Sequence, residues 1–447
     1  MLGLFALLLP APLFDVPTLR GSQVGMYAVS ATTGAVIYQR DPDAAMVPAS
    51  NLKLVVGSAA LDLLGPAFSF TTTLASDGST LYIHGGGDPL LRDSDFDDAA
   101  RTLADLGQTH FDALAGDASA IDEPRYPNGW QQDDLPYDYA APPDALSFDE
   151  NVVQVHLVPG TPGTTPTVTV TPQQDVVVIE NVATTGATGS ADTIGAHVVW
   201  DSPHTLAIDG AIPAGGTPDD FGLSVLDAPQ FTLEMTQRAL LQRGISFANA
   251  SRLAATPADA RVLWIHHSKA LPELLRDMWQ PSDNLLAESL LDALGMTSTA
   301  AGGDDTRTRG LDRERAWLTS IGVDPATTTL ADGSGLSAYD RITPRDLVSI
   351  LTHDWSGPYR SIVLAALPVA GKSGTLEDAF KGTPLVGALV AKTGTVNHTR
   401  ALAGYLQTPH GTIVFALLVD GWMDPSPHAM EHLRAFQAAV LEALAGS

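Results

Sequence analysis

The stretch MVPASNLKLVVGSAALDLLG, Met46 to Gly65, decides how the chain is read. After Ser50 it runs through Leu52, Leu54, Val55, Val56, Ala59, Ala60, Leu61, Leu63 and Leu64. Such a segment is apolar on nearly every face, the pattern of a helix buried in a core. Pro48, Ser50 and Asn51 are start signals and Gly65-Pro66 is a stop signal, which places the helix roughly over 50–64. Lys53 lies inside it. A buried ammonium is costly unless it is paired or sheds its proton. Two readings stand at this point: Lys53 snorkels from a half-exposed helix, or it is a desolvated amine with a chemical task.

The chain has 447 residues, enough for two or three domains and a large core. Its net charge of -27 argues against a nucleic-acid partner and against electrostatic docking on an anionic membrane. There are no cysteines, so disulfides and Cys-ligated metal centres are excluded. Leu2–Leu9 is an apolar run too short to span a bilayer, and residues 1–20 read as a signal or leader segment of atypical form. Membrane association is expected to be peripheral at most.

Residues 24–40 read as a β-hairpin around Thr32-Thr33-Gly34. Short strands follow over 70–88, a helix near 96–107, and an irregular Pro- and Asp-rich segment over 121–150. From 152 to 225, β-like runs such as VVQVHLV and TVTVTP alternate with Gly, Pro and Thr turns. Helical patterns return at 229–243 and 270–294, and the chain closes with the strands RALAGYLQ and GTIVFALLVDGW and a last helix. Strands near both termini suggest that the chain ends meet in one sheet, with the β-rich middle inserted.

Only five lysines occur, so each position is informative. Ser50 and Lys53 form a Ser-x-x-Lys, which puts both side chains on one helix face. Desolvation lowers the pKa of such an amine, and its neutral form can take the proton of a serine hydroxyl. Ser282 and Asn284, in QPSDN, either aim a hydroxyl and an amide at one point or merely cap the next helix. Lys392-Thr393-Gly394-Thr395 is strand-like, with a cation and hydroxyls suited to a carboxylate and a glycine that admits close approach. Gly371-Lys372-Ser373-Gly374-Thr375 is a decoy: Ala366 stands where a phosphate loop needs its first glycine, and it reads as a loop.

Taken together, these pieces match the Ser-x-x-Lys, Ser-x-Asn, Lys-Thr-Gly set of penicillin-recognising serine enzymes. With the long gap between the first two motifs, and with LYIHGGGDPLL, ALSFDENVV, ADGSGLSAYDRITPRDLV and LPVAGKSGTL, the chain resembles the D-alanyl-D-alanine carboxypeptidase/endopeptidase family of class C low-molecular-mass penicillin-binding proteins, peptidase family S13. The resemblance implies an α/β (α+β) fold, an antiparallel sheet flanked by helices, with inserted β-rich domains. It implies a peptidase domain from 21–68 and 262–447, an insert over 69–151 and 226–261, and a small all-β domain over 152–225 nested in it.

For the site, the resemblance implies that Ser50 is acylated by the penultimate D-alanine and that Lys53 is its base. Ser282 would relay a proton to the leaving amine, Asn284 hold the substrate amide and Lys392 support Ser282. Thr393, Gly394 and Thr395 would line the terminal-carboxylate site, and the N–H groups of Ser50 and Thr395 would form the oxyanion hole. The expected partners are peptidoglycan peptides, with β-lactams as covalent inhibitors; no metal or organic cofactor is expected, and an exported, extracytoplasmic enzyme is. One departure is Ala338, where the family usually has Arg after Asp-Gly-Ser-Gly-Leu-Ser.

The alternatives are a serine β-lactamase or esterase, or a non-catalytic wall-binding scaffold that kept the fold. Tyr126-Pro127-Asn128 is a rival second motif. His428 and His432 have helical metal spacing but read as an exposed face, and His266-His267 beside an apolar run reads as equally ordinary.

Overall fold

The computed structural model describes residues 13–202, 204–298, 305–424, 426 and 428–446. Two compact units emerge: Met1–Phe68 with Pro127–Gly129 and Ala270–Ser447, and Ser69–Tyr126 with Trp130–Lys269.

The first unit is built on one antiparallel sheet. Its strands are β1 (Gln23–Ser30), β2 (Val36–Arg40), β3 (Leu389–Val396), β4 (Thr399–Thr408) and β5 (Gly411–Asp420), in the order β3-β4-β5-β1-β2. The two ends of the chain therefore lie side by side, Tyr27 opposite Ala416. Alternation along each strand gives the sheet two apolar faces. One face, with Met26, Leu402, Phe415 and Leu417, packs on Leu433, Phe436 and Val440 of the last helix. That helix is the seventh of the unit, after α1 (Lys53–Leu63), α2 (Leu271–Trp279), α3 (Asn284–Met296), α4 (Thr306–Ser320), α5 (Pro344–Ser356) and α6 (Arg360–Ala366); α7 is Ala429–Ala445. The opposite face of the sheet carries α5 and the turn that precedes α1.

Helix α1 is buried from Lys53 to Leu61, as its all-round apolar pattern requires. Gly57 is where the Trp279 indole crosses it: a Cβ there would fall 2.4 Å from the ring. Of the residues read as a leader, 1–12 lie outside the described residues, while Phe14 stacks on Tyr38 and meets Phe436 edge-on, so this part belongs to the sheet-and-α7 core.

The second unit holds a five-stranded mixed sheet, with Thr80–His84 and Ala113–Asp117 parallel at its centre. Residues Arg261–His267 pair with Thr71–Ser76 in this sheet, so 262–269, expected in the peptidase domain, sit in the insert. The run VLWI is an edge strand here, a pairing that only the distant 71–76 segment reveals. Over 152–225 the β-like runs do form strands: Val153, Val155 and Leu157 point inward while Gln154 and His156 face water. Their core is continuous with that of the rest of the unit, from Leu74 through Leu206 to Trp264, where a separate nested domain was expected.

Candidate active site

Ser50 lies not in the first turn of α1 but in a tight 3-10 turn, Ala49–Leu52, that leads into it. Ala49 adopts φ 48°, a left-handed conformation that costs about 1 kcal/mol or more for a non-glycine residue. Gly335 packs against this turn so closely that a Cβ on it would fall 2.0 Å from the Ala49 carbonyl oxygen. On the other side Gly394 admits the Pro48 carbonyl, which would lie 2.7 Å from an added Cβ. The serine turn is thus clamped between two glycines.

Lys53 is wholly buried, which removes the snorkelling reading. Its amine lies 3.0 Å from Ser50 Oγ, 2.5 Å from Asn284 Oδ1 and 2.8 Å from the Ser334 carbonyl. The amide and carbonyl oxygens only accept, so they take two N–H bonds. The third position of the nitrogen faces the serine hydroxyl, where a neutral amine presents its lone pair. Burial lowers the Lys53 pKa to about 8, against the opposing pull of Asp332, Asp283 and Glu288. A lysine so placed can release its proton near neutral pH.

The break between α2 and α3 divides what reads in sequence as one helical stretch over 270–294. Asp283, not Ser282 or Asn284, caps α3, accepting the Leu286 N–H at 2.7 Å. Ser282, released from capping, sits at φ 72° with its hydroxyl 2.8 Å from the Lys392 amine. Lys392 is also wholly buried; desolvation, Lys53 and Arg400 hold its pKa well below the usual lysine value. Its amine also donates to the Thr393 carbonyl at 2.8 Å.

Strand β3 is the sheet edge. The N–H groups of Leu389 and Ala391 face outward, to the Leu385 and Pro368 carbonyls. By alternation those of Thr393 and Thr395 face the same edge. Asn51, with its amide turned as its neighbours require, donates to the Lys392 carbonyl at 3.0 Å and accepts from Ala403 N–H at 3.2 Å, tying the serine turn to this strand. The decoy segment is a loop with a short 3-10 turn at Gly374–Leu376, and Thr375 receives the Thr393 hydroxyl at 2.8 Å. Sequence reasoning passed over Thr375. Its nearness to Thr393 depends on Thr375 N–H binding the Gln280 carbonyl, a pairing across nearly a hundred positions of sequence.

Behind Lys53 stands a buried acidic group that also went unread. Glu288 accepts the N–H groups of Gly333 and Ser334 (3.1 and 2.8 Å to Oε1). Asp332 accepts those of Gly335 and Ser337, each at 2.7 Å. These carboxylates shape the Asp332–Ser337 loop whose Ser334 carbonyl meets Lys53. The rival Asn128 lends its backbone carbonyl to Ser337 Oγ at 2.7 Å. Ala338 N–H binds the Gly129 carbonyl at 3.0 Å, and Arg341 donates to the Ala338 and Asp340 carbonyls. His428 and His432 turn to different acids, Glu431 and Asp424, as exposed pairs. His266 faces Asp88 and His267 faces Thr71.

A partly exposed serine, a buried amine beside it, a second serine–lysine pair and an open strand edge are the groups that serine acyl transfer requires. Over residues 9–440 the sequence matches the D-Ala-D-Ala carboxypeptidase 3 (S13) family. The chain belongs to that family of serine peptidases. It is 33% identical over 453 residues to a D-alanyl-D-alanine carboxypeptidase of Actinomadura sp. (strain R39), covering 96% of this chain and 83% of that protein. It is 26% identical to D-alanyl-D-alanine carboxypeptidase DacB of Haemophilus influenzae, over 90% of this chain and 86% of that one. The crystal structure of penicillin binding protein 4 from H. influenzae superposes with a TM-score of 0.87 at 25% identity, covering 97% of this chain and 98% of that one.

Proposed function

We propose that Ser50, Lys53, Ser282, Asn284, Lys392, Thr393, Gly394 and Thr395 carry out the D-Ala-D-Ala carboxypeptidase reaction of the family on peptidoglycan stem peptides. Neutral Lys53 takes the Ser50 proton as Oγ attacks the carbonyl carbon of the penultimate D-alanine. The N–H groups of Ser50 and Thr395 stabilise the oxyanion. As the C–N bond breaks, Ser282 passes a proton to the leaving amine of the terminal D-alanine, and Lys392 tunes that hydroxyl. Asn284 holds both the Lys53 amine and the substrate amide; Thr393 and Thr395 receive the terminal carboxylate, and Gly394 lets the serine turn pack close against this strand. Water then cleaves the Ser50 ester and restores the hydroxyl. A β-lactam presents the same amide and carboxylate and is trapped as a slowly hydrolysed ester.

The observation that carries this reading is the placement of the Lys53 amine 3.0 Å from Ser50 Oγ and 2.5 Å from Asn284, residues that are 231 positions apart in the case of the amide. Peptidoglycan lies outside the cytoplasm, so this reading implies an exported enzyme. No described helix is long and apolar enough to cross a membrane.

The test is intact mass after incubation with a penicillin, for wild type and Ser50→Ala. One covalent adduct, absent from the variant, supports the reading. No adduct with the penicillin intact refutes it, and rapid Ser50-dependent hydrolysis of the antibiotic makes the enzyme a β-lactamase instead.

A further inference from the structure

The loop between α6 and β3 touches both sides of the Ser282–Lys392 pair. Its first part covers the start of β3: Ala391 N–H donates to the Pro368 carbonyl and Ala370 N–H to the Leu389 carbonyl, both at 3.0 Å. Beyond Ala370 the loop leaves the strand and turns at Gly374–Leu376, so this cover stops short of Thr393. The turn comes down on Gln280, just before Ser282. Thr375 N–H donates to the Gln280 carbonyl at 3.0 Å, and the Gln280 side-chain amide donates to the Ala366 and Leu367 carbonyls at 3.1 and 2.9 Å. Thr375 therefore holds the Ser282 arm through its backbone. Through its hydroxyl, 2.8 Å from Thr393 Oγ1, it holds the Lys392 arm. Across the gap between these arms runs the bond from the Lys392 amine to Ser282 Oγ, at 2.8 Å. A lysine amine on its long flexible stem does not set such a gap by itself.

Resting on the proton relay assigned above to Ser282 and Lys392, we propose that Thr375 is a positioning residue for that relay: bonded to the Gln280 carbonyl and to the Thr393 hydroxyl, it fixes the separation of the two arms and keeps Ser282 in line with the leaving amine. Thr393 is only 7% exposed, whereas Thr375 is open to water. A substrate lying along β3 excludes water from the pair, which strengthens the bond during the reaction. A hydroxyl can donate or accept, so the pair survives when Thr393 turns its own proton toward the substrate. The strut matters to one step. When the C–N bond breaks, the proton given up by Ser50 must end on the amine nitrogen, and Ser282 is the group that delivers it. A thiol leaving group departs as a thiolate and needs no such delivery.

The experiment compares an N-acyl-D-alanyl-D-alanine peptide with the thioester in which the terminal D-alanine is replaced by its thiol counterpart, the carboxylate being kept in both. The readout is the ratio of kcat/KM for peptide over thioester, which does not depend on how much of a variant is folded. Thr375→Val, which keeps the shape and the backbone bond but not the hydroxyl, lowers that ratio roughly 3- to 10-fold, and Thr375→Ser restores most of it. An unchanged ratio in Thr375→Val, whether the two rates fall together or stay put, overturns the proposal and leaves the catalytic reading intact. An equal loss in Thr375→Ser also overturns it, because the hydroxyl is then not the cause. Ser282→Ala is the control: if it leaves the ratio unchanged, the relay itself is refuted and the proposal falls with it.

Discussion

The Glu288 carboxylate holds the Ser334 N–H at 2.8 Å, and the carbonyl of that same Ser334 accepts from the Lys53 amine at 2.8 Å. One residue thus links a buried acid to the amine beside the nucleophile. Lys53 must be neutral to act as a base, so acylation by penicillin rises with pH and levels off above a midpoint near its pKa of about 8. Asp332, Asp283 and Glu288 favour the ammonium, whereas burial opposes it. Glu288 is itself pushed to about 8, mainly by desolvation and then by Asp332. Because Glu288 is only about half ionised near pH 8, Glu288→Gln removes part of an anion at the Lys53 midpoint and little below it, while its amide oxygen can still accept both N–H groups. The acid limb is therefore expected to move to lower pH, as read from second-order acylation rates between about pH 6 and 10. A midpoint that stays near the ordinary lysine value, or that rises in the variant, contradicts the assignment of Lys53.

Gly335 has φ +81°, and an added Cβ would stand 2.0 Å from the Ala49 oxygen. Gly335→Ala cannot relieve this by moving a side chain, because the obstruction is backbone. The serine turn has to shift, and a displacement of about 1 Å at a nucleophile can cost on the order of 100-fold in rate. The expected result is an acylation rate at least about 10-fold lower in protein that still melts cooperatively. Unaltered acylation would show that Gly335 does not support the turn.

What could be read from the sequence was whatever local pattern enforces. Ser50 and Lys53 are three residues apart, so helical geometry alone brings them to one face. Burial of the surrounding apolar run then makes the amine unusual. The strands at both ends of the chain announced the central sheet by alternation. Asp283 competed successfully for the cap because its carboxylate binds the Leu286 N–H, and the short motif could not say which of three polar residues would win. Thr375, Glu288 and Asp332 were invisible for a different reason. Each makes its contact through tertiary packing, and a threonine in a loop or a glutamate in a helix has no local signature of being buried or paired. The edge strand Arg261–His267 was misplaced likewise, since its partner strand begins at Thr71.

Asp354 ties the α5 helix to α1 by accepting the Ser58 hydroxyl at 2.7 Å. Burial raises its pKa to about 7, against the Ser58 bond and His353, which lower it. Because the folded pKa lies above the unfolded one, the protonated form is favoured by folding. That contribution is complete below about pH 4 and is lost as pH rises through 7. The shift corresponds to on the order of 4 kcal/mol over this window. Asp354→Asn cannot ionise, so its melting temperature is expected to match wild type near pH 5 more closely than at pH 8, where the variant gains. A wild-type protein whose stability advantage over Asp354→Asn grows with pH would refute the raised pKa.

Ser282 combines a left-handed backbone, φ 72°, with the hydroxyl that Lys392 holds at 2.8 Å. Glycine adopts this conformation freely, whereas alanine is strained there much as serine is. Ser282→Gly and Ser282→Ala delete the same hydroxyl but differ in strain, so the pair separates the two roles. Both are expected to lower carboxypeptidase kcat/KM by roughly 100-fold or more, the usual scale for removing a proton relay. Their stabilities should diverge, with the glycine variant about 1 kcal/mol more stable than the alanine variant in urea unfolding. Equal activity loss with unequal stability assigns the strain to the backbone and the rate to the hydroxyl. Should the alanine variant prove the more stable, the tight turn between α2 and α3 is not what holds Ser282 in place.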